Sequence, residues 1–220
     1  MPFLLDLYCG AGGAARGYSQ AGWDVIGVDN QPQPNYPFVM IQGDAVEYLR
    51  NLLKWLAVRS SPFAAVHASP PCQRWSKMSA CRPRLRDEYP DLIGPTRELL
   101  ERTGLPYVIE NVPGAPLRDP AVLCATMFGR EELFRHRLFE TNWPLIVPEH
   151  LPHLLPSSRA GHWRPGTAMS ISGHIAPVAK ARELMAIDWT TRDELAEAIP
   201  PYYSEFVGLQ LLAAVERGAA

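Results

Sequence analysis

A short apolar run at residues 3–8 breaks into Cys9-Gly10-Ala11-Gly12-Gly13, small residues carry the chain to Ala21-Gly22, and a second apolar run at 24–29 closes on Asp29. Strand, glycine turn, helix and strand in this order form the unit of a parallel sheet, because a parallel neighbour needs a crossover long enough to hold a helix. The chain is thereby committed to an α/β architecture from its first residues. Asp29 stands about 20 residues past the first glycine, the offset at which nucleotide-binding α/β folds place a ribose acceptor. A third run at 38–41 leads to Gly43-Asp44-Ala45, so a second carboxylate is expected at a strand end, placed to accept from an adenine amino group. The turn is neither the G-x-G-x-x-G of dinucleotide enzymes nor a phosphate loop with G-K-[ST]. A nucleoside-type cofactor without a pyrophosphate fits it better; a bare turn with structural glycines is the alternative.

The next strand, residues 63–67, runs into Ala68-Ser69-Pro70-Pro71-Cys72-Gln73-Arg74-Trp75-Ser76. Prolines fix φ and cannot donate to a ladder, so the strand stops and the side chains beyond it are aimed by a stiff corner. Cys72 is there either as a small buried hydrophobe or as a presented nucleophile. Arg74, Lys77, Arg82, Arg84 and Arg86 crowd a long aperiodic loop that reaches Pro95, and they read as a solvated surface or as a phosphate clamp. Apolar spacing predicts a helix over 45–59 and a shorter one over 96–103, stopped by Gly104. Residues 106–114 read as a strand that delivers Glu110 at its end. Partial desolvation there raises a carboxyl pKa and lets it donate a proton near neutrality, whereas capping the turn is the plainer role. Residues 133–140 alternate so that Arg135 and Arg137 share one face of a single strand. Residues 141–179, rich in Pro, His, Trp and Gly, depart from the α/β pattern, and a helical signal returns at 192, with 199–208 opening a terminal helix.

With 47% hydrophobic and 20% charged residues over 220 positions, the composition is that of an ordinary single globular domain. The formal net charge of -2 gives no global attraction to nucleic acid, so any polyanion site must be a local patch. The cysteines at 9, 72, 81 and 124 lack C-x-x-C spacing and any pairing with closely spaced histidines, so neither a metal site nor a disulfide framework is expected. A reducing, cytoplasmic setting is expected, with no signal peptide or membrane span in view.

Taken together and in this order, the motifs resemble those of the cytosine-C5 methyltransferases that modify DNA. Asp6-Leu7-Tyr8-Cys9-Gly10-Ala11-Gly12-Gly13 is similar to that family's first cofactor motif, and Asp29 and Asp44 match its ribose and adenine carboxylates. Pro71-Cys72-Gln73-x-x-Ser76 matches P-C-Q-x-x-S, and Glu110-Asn111-Val112 matches E-N-V. Arg135-x-Arg137 ends Q-x-R-x-R, with Leu133 in the glutamine's place, and 199–208 resembles a variant of the last motif. The resemblance implies a Rossmann-like S-adenosylmethionine-dependent methyltransferase fold with a mixed, mostly parallel sheet and a small recognition insertion. Residues 1–140 form the catalytic and cofactor-binding core, 141–185 a minimal target-recognition region, and 186–220 a helical segment returning to the core.

The implied cofactor is S-adenosylmethionine, held by Asp6, Tyr8, Cys9, Gly10, Ala11, Gly12, Gly13, Asp29, Asn30, Asp44, Ala45, Ser69, Pro70, Tyr203 and Ser204. The implied catalytic group is Cys72, which adds to carbon 6 of cytosine, Glu110, which acts at ring nitrogen 3, and Arg135 and Arg137, which orient the base and favour the thiolate. The implied partner is double-stranded DNA with a flipped cytosine, since this chemistry cannot occur inside a duplex. The chain is expected to act as a monomer without a metal. Arg74, Ser76, Lys77, Arg82, Arg84 and Arg86 are expected to close on the nucleic acid, and Arg159, His162, Arg164, Ser172 and His174 to read it. About 40 residues are left for that reader, enough to specify two or three base pairs. One branch with the same motifs acts on tRNA, and a silent nucleic-acid-binding relative would keep them too.

Overall fold

The structure is a computed structural model and describes residues 1–75, 89–171 and 173–218. Its centre is a seven-stranded sheet in the order β3-β2-β1-β4-β5-β8-β6. β1 (Phe3–Leu7), β2 (Asp24–Asp29), β3 (Val39–Gln42), β4 (Ala65–Ala68) and β5 (Tyr107–Asn111) are parallel, and β8 (His136–Thr141) runs antiparallel to both β5 and β6 (Ala121–Cys124). The order of the sheet reverses between β1 and β4. At such a switch point the connections leave toward opposite faces, and a crevice opens beyond the carboxyl ends of the two strands.

Helices cover both faces, which is why β4 and β5 are buried at every position rather than alternating. On one face α1 (Gly13–Gln20) packs against α6 (Pro201–Gly218), with Leu4, Tyr18, Trp23, Tyr203 and Val207 in one core cluster. Gly17 permits that approach: a Cβ there would stand 1.9 Å from the Pro201 carbonyl oxygen and 2.2 Å from Ser204 Oγ. On the other face α2 (Ala45–Leu56) and α3 (Ile93–Thr103) bury Leu49, Leu52, Leu99 and Leu100 against Leu5, Leu7 and Val66. The helix expected from 96 starts at Ile93. Pro95 falls in its first turn, where a missing N–H costs nothing, and Asp91 Oδ1 accepts from the Ile93 N–H.

The expected single strand over 133–140 is two strands. β7 (Leu133–Phe134) pairs with β9 (Met169–Ser170) in a separate small sheet, while β8 belongs to the main one. The break falls at Arg135, whose buried guanidinium donates to the carbonyl oxygens of Ile171, Ala196 and Ala198. Alternation treats 133–140 as one strand with two faces; burial along the segment does not alternate throughout, and the change of partner at Arg135 is not visible in the pattern. Leu133, Met169, Ile171 and Ile175 share a third core cluster with α4 (Val178–Met185) and α5 (Arg192–Glu197). The small layer around that cluster draws on Ala125 and β7 from the expected core and on α5 from the expected returning segment. Within the expected 186–220 segment, α6 is the element that packs on α1.

Candidate active site

The crevice holds a cavity of 330 Å³. Each neighbouring strand end supplies part of its wall. After β1 come Tyr8, Cys9, Gly10, Ala11 and Gly13; at the ends of β2 and β3 come Asp29, Asn30, Asp44 and Ala45; after β4 come Ser69, Pro70, Pro71 and Cys72; from β5 and β8 come Glu110 and Arg137. Asp6 also contributes. Asp29 is fixed before any ligand arrives, because its carboxylate accepts from the Gly10 N–H at 3.0 Å and the Gln31 N–H at 2.9 Å. Asp44 does double duty: Oδ1 caps α2 by accepting from the Glu47 N–H at 2.8 Å, and the residue lines the cavity. Tyr8 holds φ at 57°, a strained value for a residue with a side chain, and its hydroxyl is anchored 2.8 Å from Thr96 Oγ1. These rows of backbone N–H and carboxylate groups suit a nucleoside with a free hydroxyl pair.

The Pro-Pro-Cys corner is tied to β5. Asn111 donates from Nδ2 to the Pro70 carbonyl at 2.8 Å and accepts from the Val112 N–H at 2.9 Å, so its side chain sets the height of Cys72 over the sheet. Burial raises the Cys72 thiol above its usual range; Arg137 pulls it back, Glu110 and Glu197 push it up, and Arg135 lowers it. Glu110 is buried, and desolvation raises its carboxyl despite Arg137 and Ser69, the strongest opposing groups. Arg137 Nε lies 3.0 Å from Glu110 Oε1, yet it is not aligned as a hydrogen bond, and Oε1 keeps no hydrogen-bond partner. A buried carboxyl, ion-paired with Arg137 but without a hydrogen bond on Oε1, faces the same cavity as a thiol. That arrangement can add a nucleophile to a substrate while a proton is exchanged on its far side.

Tyr18, His67, Glu194 and Glu197, which carry no signal of their own in the sequence, support this group together with the expected Asp6 and Ser69. His67, on β4, is wholly buried, and desolvation lowers its pKa to about 3, so it stays neutral. Its ring nitrogens lie 2.9 Å from the Tyr18 hydroxyl and 2.8 Å from Ser69 Oγ. The chain Tyr18–His67–Ser69 thus runs through the sheet to the cavity wall. Asp6 is held protonated by burial, its pKa pushed up to about 8, with the Tyr36 hydroxyl 3.4 Å away. Glu194 and Glu197 of α5 also line the cavity. The Thr191-x-x-Glu194 capping box marks the helix start, but only the fold shows where that start points.

Other expected site residues stand elsewhere. Arg135, Gly12, Tyr203 and Ser204 do not line the cavity. Arg135 is committed to carbonyl oxygens, Tyr203 donates to the Arg135 carbonyl and Ser204 to that of Pro201, so their contribution is to hold the small layer and α6 in place. Gly12 takes φ 80° as the cap of α1, with Tyr36 and Pro37 where a Cβ would be. Arg74 donates to the Tyr89 carbonyl at 3.0 Å and lies over the Trp75 ring. Arg159, His162 and Arg164 line a second, open recess, and His174 packs against Gly161 beside it. Ser76, Lys77, Arg82, Arg84, Arg86 and Ser172 lie outside the described residues. The expectation of no metal-ligand set is corrected: Cys124, His136, His150 and His153 converge, because β6 and β8 pair residues that are 12 apart in sequence.

No family model matches the chain. Among curated proteins, the type II methyltransferase M.AgeI of Thalassovita gelatinovora is 27% identical over 139 residues, which cover 58% of this chain and 32% of that protein. The match thus spans about a third of that relative's length. Among solved structures, a DNA modification methyltransferase encoded within an E. coli prophage superposes with a TM-score of 0.67 at 15% identity, covering 99% of this chain and 100% of the other. The Dnmt2 methyltransferase of S. pombe superposes at 0.58 and 13%, covering 98% and 99%. The fold is the one these methyltransferases share. Among the described residues no helix is long and apolar enough to cross a membrane.

Proposed function

We propose that the chain transfers a methyl group from S-adenosylmethionine to carbon 5 of a cytosine in DNA, with Cys72 as the nucleophile and Glu110 as the acid. The observation that carries the reading is that one cavity brings strand ends of nucleoside-binding type together with a thiol and a buried carboxyl ion-paired with Arg137. Asp29 accepts ribose hydroxyls, Asp44 faces the adenine edge, and Tyr8, Gly10 and Ala11 lie along the nucleoside; the cofactor supplies an activated methyl group. Cytosine is a weak nucleophile at carbon 5. Addition of the Cys72 thiolate to carbon 6 makes carbon 5 electron-rich, and Glu110 offers a proton at ring nitrogen 3 as charge develops there. Once carbon 5 carries the methyl group, a base takes its proton and the Cys72 thiolate is expelled. Arg137 holds the thiolate and the carboxyl in one electrostatic field. The base must leave the helix to enter, because all these groups lie inside a crevice. The matches to a type II methyltransferase and to a DNA modification methyltransferase support DNA as the substrate.

Covalent trapping tests the reading directly. With S-adenosylmethionine and duplex DNA carrying 5-fluorocytosine, removal of the carbon 5 substituent is blocked, and an adduct stable in denaturant is expected with the wild type and absent with Cys72→Ala. An adduct that survives Cys72→Ala, or trapping on tRNA in preference to DNA, would overturn the assignment.

A further inference from the structure

Away from the cavity, four side chains meet at one point. Cys124 closes β6 and His136 opens β8, and the two are partners across the antiparallel ladder, so both side chains leave the same face of the sheet. His150 and His153 come from the irregular segment after β8. His136 Nε2 is 3.0 Å from His150 Nε2 and 3.3 Å from His153 Nε2, and Cys124 Sγ is 3.6 Å from His153 Nε2. No two of the four ligand atoms are more than 4.8 Å apart.

Hydrogen bonds do not explain this convergence. An imidazole nitrogen offers either one N–H or one lone pair in the ring plane, so His136 Nε2 can satisfy one of its two imidazole neighbours but not both. His153 Nδ1 is buried without a partner, which leaves Nε2, the atom aimed at the cluster, to orient the ring. A central cation accepts every lone pair at once. With Zn–N of about 2.0–2.1 Å and Zn–S of about 2.3 Å, tetrahedral geometry sets nitrogens about 3.3 Å apart and nitrogen from sulfur about 3.6 Å. The 3.0, 3.3 and 3.6 Å separations fall on those edges or slightly inside them, and a pair at the 4.8 Å limit needs a side-chain adjustment of about 1 Å.

We propose that Cys124, His136, His150 and His153 bind one Zn²⁺ in a closed, structural site. A thiolate with three imidazoles suits zinc and disfavours magnesium or calcium, and four protein ligands leave no position open for catalysis. Cys124 enters as the thiolate and releases its proton to solvent. Phe134 walls the site, its ring centroid 4.4 Å from that of His153 and 4.9 Å from that of His136. The ion staples the segment after β8 to the sheet one residue from Arg137, and that segment continues to Arg159, His162 and Arg164. The site stands whether or not the chain methylates DNA.

The test is metal content of the purified full-length chain after dialysis into metal-free buffer, then exchange with Co²⁺. One equivalent of zinc is expected, and the cobalt form should show intense tetrahedral d–d bands with a thiolate-to-cobalt charge-transfer band. Cys124→Ser should lose the charge-transfer band, and the double variant His150→Ala, His153→Ala should lose stoichiometric uptake while keeping its far-ultraviolet circular dichroism. Wild-type protein that takes up neither Zn²⁺ nor Co²⁺ in stoichiometric amount would overturn the proposal, as would a double variant with the wild-type cobalt spectrum.

Discussion

Burial works against Cys72, and Arg137 is the strongest group that opposes it, with Glu110 pushing the other way. The pH at which Cys72 is half-reactive toward iodoacetamide, tracked on its own peptide by mass spectrometry, should therefore rise in Arg137→Met and fall in Glu110→Gln. Identical midpoints in all three proteins would show that the thiol does not sense this pair. Glu110→Gln should also slow methyl transfer by about 10²–10⁴, the usual contribution of a positioned acid, in single-turnover assays. Asp6 gives a stability prediction. Its folded-state pKa is raised from 3.8 to about 8, so between these values the folded chain holds a proton that the unfolded chain has lost. That contribution is complete below 3.8 and disappears as pH rises through about 8. Asp6→Asn carries no such proton. Its urea midpoint relative to wild type should climb steadily across this window, and a constant difference would refute the assignment.

Between elements, Arg97 on α3 and Glu140 on β8 form a buried bidentate pair with both contacts at 2.7 Å. Glu140 also accepts from the Arg118 N–H, and Arg97 donates to the Pro116 carbonyl. Arg97→Met leaves a buried carboxylate uncompensated and should cost about 3–5 kcal/mol in urea unfolding. The sequence pattern located both residues in their helix and strand but gave no reason to pair them, because their contact depends on β8 turning antiparallel beside β5. The same limit recurs. The βα units, the glycine turn, Asp29, the Pro-Pro-Cys corner and Glu110 could be read because each depends on local chemistry at a strand end. His67, Glu197 and the meeting of Cys124 with distant histidines could not, since each depends on which strands become neighbours. The single strand expected over 133–140 fails for that reason too: period 2 records which way side chains point, not which sheet receives them.

The molecule as a whole carries a formal charge of -2, so attraction to a polyanion has to come from where its cations are placed. Arg159, His162 and Arg164 are exposed and gathered at one recess, on the segment that leaves β8 beyond the candidate active site. On the DNA reading, the two arginines contact phosphates and release counterions, while sequence discrimination rests on other groups. The double variant Arg159→Ala, Arg164→Ala should then weaken binding to all duplexes alike. The slope of log affinity against log salt should become shallower by about two, one for each phosphate contact removed. Fluorescence anisotropy over a salt series on two unrelated duplexes measures both effects. An unchanged slope would place these arginines off the nucleic acid path, and a loss confined to one duplex would make them readers of bases instead of the backbone. Trapping through Cys72 should persist in the variant at low salt, since neither arginine lines the cavity where the thiol sits.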